Sequence, residues 1–226
     1  MIHIENLTKS FTSTTKKGFK KETTTVNAVN EISFDCKPGR IFSLLGPNGA
    51  GKTTTLRMIA GIINPTSGTA IVDGIDISKG NDEVKKRIGF LTGSTGLYRK
   101  EYLFEKLGIN EFRKKRVGQM STGMKQKVSI ARTLIHDPEV LIFDEPTSGL
   151  DVITAESIID LIRESKENNK TVIFSSHIMS EVDLLCDDLA IINKGAIIYN
   201  STFENFKAEM KAKNLTQEFI NRVKEA

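Results

Sequence analysis

One stretch of eight residues constrains the fold of this chain more than any other: Gly46-Pro-Asn-Gly-Ala-Gly-Lys-Thr53. Two glycines separated by four residues and followed by Lys52 and Thr53 form a P-loop pattern, in which consecutive backbone N–H groups face a phosphate. Lys52 adds positive charge towards the β- and γ-phosphates, and the Thr53 hydroxyl suits Mg²⁺. The pattern predicts nucleotide contacts from Gly46, Pro47, Asn48, Gly49, Ala50, Gly51, Lys52, Thr53 and Thr54.

The residues on either side supply the strand and the helix that a P-loop requires. Arg40–Leu45 is a short apolar run that predicts a buried strand. After Lys52, apolar residues follow at helical spacing up to Ile63, and we expect Pro65 to end that helix. A helix that begins at the loop adds free N–H donors and a favourable dipole for an anion.

Three further apolar runs predict buried strands at 140–143, 171–174 and 189–192. A helical pattern around 158–162 lies between the first two runs. Strands that alternate with helices are typical of an α/β fold. We therefore expect a P-loop core with a mainly parallel sheet.

The N-terminal part of the chain predicts a smaller antiparallel sheet beside this core. Residues 1–7 and 26–34 have strand patterns and are joined by a polar stretch, 12–25, which we expect to be a surface loop. Residues 69–77 predict two more strands with a turn at Asp73-Gly74. Residues 201–226 predict an amphipathic helical tail, either packed on its own domain or available to a partner.

Two adjacent acids, Asp144 and Glu145, follow the apolar run at 140–143. In P-loop hydrolases an acid at the end of such a strand holds Mg²⁺, so we expect Asp144 to do so with Thr53. Neighbouring side chains on a strand point to opposite faces, which leaves Glu145 a separate role. We expect Glu145 to orient and deprotonate the attacking water.

Composition excludes several classes of protein. Of the 226 residues, 38% are hydrophobic and 27% charged, a balance that excludes a wholly disordered chain. The longest apolar run has four residues, whereas a bilayer span needs about 20. The first ten residues lack a signal-peptide pattern, so we expect a cytosolic chain. We expect Cys36 and Cys186, which lack metal-ligand spacing, to be reduced and without a role.

Basic residues cluster at 16–21 and at 113–116, although the net charge is a mild +4. Such clusters can contact nucleic acid or an anionic membrane face. No aromatic platform accompanies them, so we interpret both as solvated surface and expect no nucleic-acid partner.

Three more motifs follow the P-loop in a fixed order. They are Ser121–Lys127 before a helical pattern, Ser148–Asp151 after the paired acids, and Ser175-Ser-His177 after a strand. With the P-loop they resemble the signature motif, D-loop and switch histidine of the ATP-binding subunits of ABC transporters, in matching order from His3 to Asn200. The amino-acid sequences of Gly93–Tyr98 and Ser121–Gln126 resemble those of the sodium-export members of that family.

The resemblance implies that two copies close head-to-tail over two ATP molecules. Ser121 and Gly123 of one copy would then donate to the γ-phosphate held by Lys52 of the other copy, because a helix start attracts an anion. The resemblance also implies that Asp151 couples the two sites. Hydrolysis would remove the γ-phosphate that joins the copies, and the dimer would open.

The resemblance also assigns single residues to the nucleotide. His177 would contact the γ-phosphate, and Phe11 would stack on adenine, with Phe19 as the alternative aromatic. The expected catalytic residues are Lys52, Glu145 and His177, and the expected metal ligands are Thr53 and Asp144. The expected cofactors are ATP and Mg²⁺.

The chain departs from the family pattern in two ways. Gly93 stands where the family usually has a glutamine, and Thr122 and Met124 replace two usual signature residues. In addition, 27 residues separate Gly93 from Ser121, a stretch that is distinctly longer in most members of the family. The resemblance therefore implies a shortened helical lobe, with one short helix at 100–107 followed by 109–119.

We expect one ABC ATPase domain over 1–226. Its parts are an antiparallel β part (1–35 and 69–77), a P-loop core (36–68 and 121–200), a shortened helical lobe (94–120) and a helical C-terminal tail (201–226).

The resemblance implies an ATP-hydrolysing subunit on the cytoplasmic face of the cell membrane. Its partners would be a second ATPase subunit, identical or paired, and a separate integral-membrane permease, with sodium as the exported ion. One alternative is a nucleotide-binding module uncoupled from transport, because the lobe is short. A soluble ABC protein acting on DNA or ribosomes is a further alternative, which one cassette without heptads disfavours.

Overall fold

The computed structural model describes residues 1–17, 20–79, 81–91, 104–134 and 137–226. In chain order its strands are β1 (Ile2–Lys17), β2 (Lys20–Cys36), β3 (Arg40–Leu45), β4 (Ser67–Val72), β5 (Ile75–Asp76), β6 (Ile88–Leu91), β7 (Val140–Asp144), β8 (Thr171–Ser176), β9 (Asp188–Asn193) and β10 (Ala196–Thr202). Its helices are α1 (Lys52–Ile59), α2 (Asn81–Arg87), α3 (Thr122–Leu134), α4 (Val152–Glu167), α5 (Met179–Leu185), α6 (Phe203–Glu209) and α7 (Leu215–Glu225).

The strands form two sheets. The larger has the order β10-β9-β3-β8-β7-β6, and all its neighbours are parallel except β10, which runs antiparallel to β9. The smaller is antiparallel, with the order β2-β1-β4-β5. The expected α/β fold with a mainly parallel core and a small antiparallel sheet is confirmed.

Both faces of the larger sheet are covered, as its continuous apolar runs require. Along β7, Val140 and Ile142 pack into one buried cluster, and Leu141 and Phe143 into another. The first cluster joins the sheet to α1 and to the antiparallel sheet, and the Phe34 and Phe42 rings stack there at 4.7 Å. The second lies under α3, α4, α5 and the C-terminal helices. The larger sheet is therefore buried between two packed layers.

The parallel register sets the position of the candidate site. Leu45 at the end of β3 pairs with Ser176 at the end of β8, and Asp144 at the end of β7 pairs with Ser175. Ligands of open parallel sheets bind beyond these carboxyl ends. Three loops therefore leave the sheet at the same edge: the P-loop after β3, the loop with the two acids after β7, and the loop with His177 after β8.

The expected loop at 12–25 is wrong. β1 and β2 continue as a paired hairpin, in register from Thr12 opposite Thr25 to Lys17 opposite Lys20. The threonine hydroxyls of Thr12 and Thr25 lie 3.3 Å apart. β-Branched threonines fit a pleated, paired backbone, so a polar composition was not a loop signal here.

The first helix also ends earlier than expected. α1 stops at Ile59, and Gly61 adopts φ +64° while its N–H donates to the Met58 carbonyl. A glycine in the left-handed region ends a helix, which explains why the stop precedes Pro65. The predicted turn at Asp73-Gly74 is present, with positive φ at both residues.

The C-terminal tail packs on its own domain. Residues 201 and 202 extend β10, and two helices, α6 and α7, follow in place of one continuous helical stretch. Phe203 and Phe206 are buried in the second cluster, and Phe219 packs against it. Of the two alternatives for this tail, packing on its own domain is therefore the one that the structure shows.

Part of the expected helical lobe lies outside the described residues, including Gly93 and 94–103. The described part contains a helical turn at 104–106 and two 3₁₀ turns, Ile109–Glu111 and Val117–Gln119. Leu107, Ile109 and Phe112 are buried against the core. Within the described ranges, no helix has the length and apolarity that crossing a bilayer requires.

Candidate functional site

The P-loop backbone has a shape that only glycine allows at two positions. Gly51 has φ +109°, and a Cβ there would lie 2.5 Å from the Ala28 carbonyl oxygen. A Cβ on Gly46 would lie 2.4 Å from the Ile192 carbonyl oxygen. No side chain caps the start of α1 at Gly51. The loop thus leaves the helix start open to an anion, as phosphate binding requires.

Lys52, the basic residue of the P-loop, is buried, with 4% of its surface exposed. Its ammonium donates to the carbonyls of Gly46 (2.7 Å) and Pro47 (3.1 Å). It also lies 3.3 Å from Glu145 Oε1. The P-loop therefore holds a fixed positive charge directly beside the second acid.

Asp144 is the centre of a cluster of oxygen atoms. Thr53 Oγ1 donates to Asp144 Oδ1 at 3.1 Å, and Ser175 Oγ donates to the same oxygen at 2.7 Å. Hydroxyl and carboxylate oxygens suit Mg²⁺, which commonly takes one or two protein carboxylates and completes its shell with water and phosphate. Thr53 and Asp144 thus fit the predicted metal site, and the structure adds Ser175 beside them.

The Glu145 carboxylate has partners different from those of the Asp144 carboxylate. Its Oε1 lies 3.3 Å from Lys52 Nζ and 3.3 Å from His177 Nδ1. Its backbone has φ +48°, a conformation that is uncommon for a residue with a side chain and that concentrates at functional sites. Its N–H donates to Ser175, both to the carbonyl at 3.2 Å and to the hydroxyl at 3.1 Å. The loops after β3, β7 and β8 thus meet at this carboxylate.

A cavity of about 670 Å³ lies over these groups. Its lining residues are Ala28, Asn48, Gly49, Ala50, Gly51, Lys52, Thr53, Thr54, Gln126, Asp144, Glu145 and Ser148. Sequence reasoning missed Ala28, whose residue type carries no signal. It also missed Gln126 as a lining residue, although Gln126 belongs to the signature segment; its amide donates to the Pro146 carbonyl at 3.1 Å.

Several predicted residues do not line this cavity: Phe11, Gly46, Pro47, Ser121, Gly123, Asp151 and His177. Ser121 accepts the Met124 N–H at 3.3 Å and so caps α3, and Gly123 has open space where a Cβ would be. Asp151 caps α4 by accepting from the Thr154 N–H (2.9 Å) and hydroxyl (2.8 Å). These bonds, the backbone bond first, lower the pKa of Asp151.

The predicted adenine contact, Phe11, is an exposed residue on the hairpin. It is 47% exposed, and the Lys9 ammonium lies 5.2 Å from its ring centre. Phe11 pairs with Val26, two residues before the cavity-lining Ala28 on β2. A β-bulge lies at Ala28, because Ser10 pairs with Asn27 and Lys9 with Val29, and Phe11 is not among the residues that line the cavity. The alternative, Phe19, lies outside the described residues.

Comparison with known proteins gives one consistent family. The sequence profile of the ABC transporter family matches residues 29–148. The chain is 39% identical to the ABC transporter ATP-binding protein NatA of Bacillus subtilis (strain 168), covering 91% of this chain and 94% of that protein. It is 38% identical to the bacitracin transport ATP-binding protein BcrA of Bacillus licheniformis, covering 80% and 66%.

Solved structures give the same result. The fold is similar to a dimeric post-hydrolysis structure of the ATP-binding cassette MJ0796 bound to ADP and Pi, with a TM-score of 0.72 and 26% identity over 89% of this chain and 98% of that one.

The alignment with NatA also shows a difference in length. It is 231 positions long, but it includes only 91% of the 226 residues of this chain, which is about 206 residues. About 25 aligned positions of that relative therefore have no counterpart here.

Proposed function

This chain belongs to the ABC transporter family, whose cassettes hydrolyse ATP, and from that premise we propose how its own residues bind ATP, hydrolyse it and drive a membrane permease. One observation carries the proposal: the ends of three parallel strands bring Lys52, Asp144 and Glu145 to one cavity, with His177 3.3 Å from Glu145 Oε1. A buried cation, an oxygen cluster and a second carboxylate are the parts that phosphoryl transfer to water needs.

In this proposal the two acids act differently. Thr53 and Asp144 hold Mg²⁺, which supplies neutralisation of phosphate charge when it is bound. Glu145 accepts the proton of the attacking water, because its carboxylate lines the cavity and contacts Lys52 and His177, whereas the Asp144 carboxylate contacts Thr53 and Ser175. Lys52 stabilises the negative charge of the phosphates, and His177 holds Glu145 and the γ-phosphate in position.

A second copy completes the proposed site. Ser121 and Gly123 open α3 and do not line the cavity of their own chain, which supports a role on the nucleotide of another copy. N–H groups at a helix start bind phosphate oxygens. Asp151 joins α4 to the loop that carries Glu145 and is the proposed link between the two sites. Phe11 is the proposed adenine contact.

The proposed partner is a separate integral-membrane permease, with the chain bound at the cytoplasmic face of the membrane. The proposed cargo is sodium and the proposed direction is export. This part of the proposal rests on the resemblance of Gly93–Tyr98 and Ser121–Gln126 to the sequences of sodium-export members of the family. A second candidate is a nucleotide-binding module uncoupled from a permease. The short stretch between Gly93 and Ser121 favours it, together with the roughly 25 positions without a counterpart. Copurification with a permease that stimulates ATP turnover separates the two.

The test of ATP chemistry uses Lys52→Ala and Glu145→Gln. Lys52→Ala should weaken ATP binding at least about tenfold, because a charged hydrogen bond contributes about 1.5–3 kcal/mol. Glu145→Gln should keep ATP binding, lower kcat by about 10² or more, and leave an ATP-dependent dimer in size-exclusion chromatography. Lys114→Ala, at an exposed basic residue, is the control. Unchanged ATP binding in Lys52→Ala or parental turnover in Glu145→Gln contradicts the proposal.

A further inference from the structure

A second buried carboxylate, Glu181, lies behind the candidate site. Glu181 is in the first turn of α5 and is only 9% exposed. Its Oε1 accepts the hydroxyl of Thr147, and its Oε2 accepts the hydroxyl of Ser176 at 2.7 Å. Buried charged groups persist where hydrogen bonds satisfy them, and here each carboxylate oxygen has its own donor.

The two donors belong to the two loops that carry the reacting side chains. Thr147 stands two residues after Glu145, in the loop that follows β7. Ser176 ends β8 and directly precedes His177. Glu181 therefore joins, through one rigid planar group, the backbone that carries Glu145 to the backbone that carries His177.

The two joined loops meet where His177 contacts Glu145, and a small increase in the distance between these side chains would break that contact. His177 Nδ1 and Glu145 Oε1 lie 3.3 Å apart, at the long end of a hydrogen bond. Ser176 Oγ also accepts the Ile178 N–H at 3.0 Å, so this hydroxyl ties the histidine loop on both sides of His177. On the other side of the first loop, Gln126 holds Pro146. A small displacement of either loop would break the contact between His177 and Glu145.

We propose that Glu181 is a positioning residue for ATP hydrolysis, which sets the distance between Glu145 and His177 by binding Thr147 and Ser176 at once. The inference rests on the proposed function, because it takes Glu145 and His177 as the groups that act on water and γ-phosphate. Glu181 itself does not line the cavity, so it acts through these two loops. Its contribution belongs to turnover and leaves nucleotide affinity unchanged.

Two substitutions divide the role of the carboxylate. Glu181→Gln keeps the size of the side chain, but its amide accepts from one hydroxyl and presents N–H donors to the other. Glu181→Ala removes both acceptors and leaves the hydroxyl protons of Thr147 and Ser176 without the carboxylate that accepts them. We expect a graded loss of turnover, smaller for the amide than for alanine. Glu156→Gln, at an exposed acid on α4, is the matched control.

The experiment measures kcat, KM for ATP, ATP binding and melting temperature for the full chain and each variant. Glu181→Ala should lower kcat at least about tenfold and Glu181→Gln about threefold or more, because small errors in positioning reacting groups are costly. ATP binding should stay within about twofold of the parent. In a His177→Ala background, Glu181→Gln should change kcat by less than about twofold, because coupled residues are not additive.

Each other result overturns the inference. Parental kcat in Glu181→Gln does so, as does a loss of ATP binding that matches the loss of kcat, or an undiminished effect in the His177→Ala background. Should Glu181→Ala fail to fold, Glu181→Gln decides alone. Failure of the proposed function is distinguishable, because it appears in the Lys52→Ala and Glu145→Gln chains whatever Glu181 does.

Discussion

Gly51 meets two demands that no other residue meets together. Its φ of +109° lies in the region that side chains rarely adopt, and a Cβ would lie 2.5 Å from the Ala28 carbonyl oxygen. Ala28 also lines the cavity. The requirement at position 51 therefore comes both from the local turn and from the close approach of β2.

We predict that Gly51→Ala lowers the free energy of unfolding by about 1–3 kcal/mol, because it places a side chain on strained backbone. The shift of the loop should also weaken ATP binding. Urea unfolding and nucleotide titration measure the two effects. Gly118→Ala is the control, since a Cβ there meets nothing within 4 Å. Equal losses in both variants would contradict this explanation.

α4 shows how one residue serves both an element and the site. Asp151 closes the loop that begins at Glu145 and caps the helix that follows, through the N–H and hydroxyl of Thr154. The same bonds lower the pKa of Asp151. Since the folded-state pKa is depressed, the stabilisation is present above the unfolded-state pKa of about 3.9 and is lost as the pH falls through the lower folded-state value.

We predict that Asp151→Asn, which keeps an acceptor but removes the charge, is less stable than the parent at pH 7. The gap should narrow as the pH falls below about 4, where the parental carboxyl becomes protonated. Urea midpoints at pH 7, 5, 4 and 3.5 give the measurement. Asn214→Ala is the control, because Asn214 caps α7 without titrating. A gap that stays constant for Asp151→Asn would refute the linkage.

At the scale of the whole molecule, an apolar pair stands next to the D-loop. Val152 and Ile153, immediately after Asp151, are 83% and 79% exposed. Exposed apolar side chains beside a functional site commonly mark contact surfaces. We expect this pair to lie against the second copy in the proposed head-to-tail dimer, where ATP would join the two chains.

We predict that the double substitution Val152→Glu, Ile153→Glu weakens the ATP-dependent dimer formed in the Glu145→Gln background. Like charges would then face each other across the interface, while exposed substitutions leave monomer stability within about 0.5 kcal/mol. Analytical ultracentrifugation with and without ATP measures dimerisation. Leu184→Glu, at a 55% exposed residue on α5, is the control. A dimer of parental strength would argue against this face as the interface.

Local pattern was enough for much of the fold. The runs at 140–143, 171–174 and 189–192 are strands because a sheet buried on both faces needs continuous apolar residues. Pattern failed where local chemistry was ambiguous: the threonine-rich stretch at 12–25 is a paired hairpin, and Gly61 ends α1 before Pro65. Polar composition and breaker residues indicate where a helix or strand can end, but neighbouring strands and backbone conformation decide where it does.

The sequence by itself determined which residue types stand at the site, because the P-loop and the paired acids are short segments whose backbone and charge requirements are local. Only the tertiary structure decided how distant segments combine. Ser175 reaches Asp144 across 31 residues, and Glu181 reaches Thr147 across 34. Ala28 enters the cavity from another sheet. Such contacts depend on sheet order and register, which no single segment specifies, because each is set by the packing of all its neighbours.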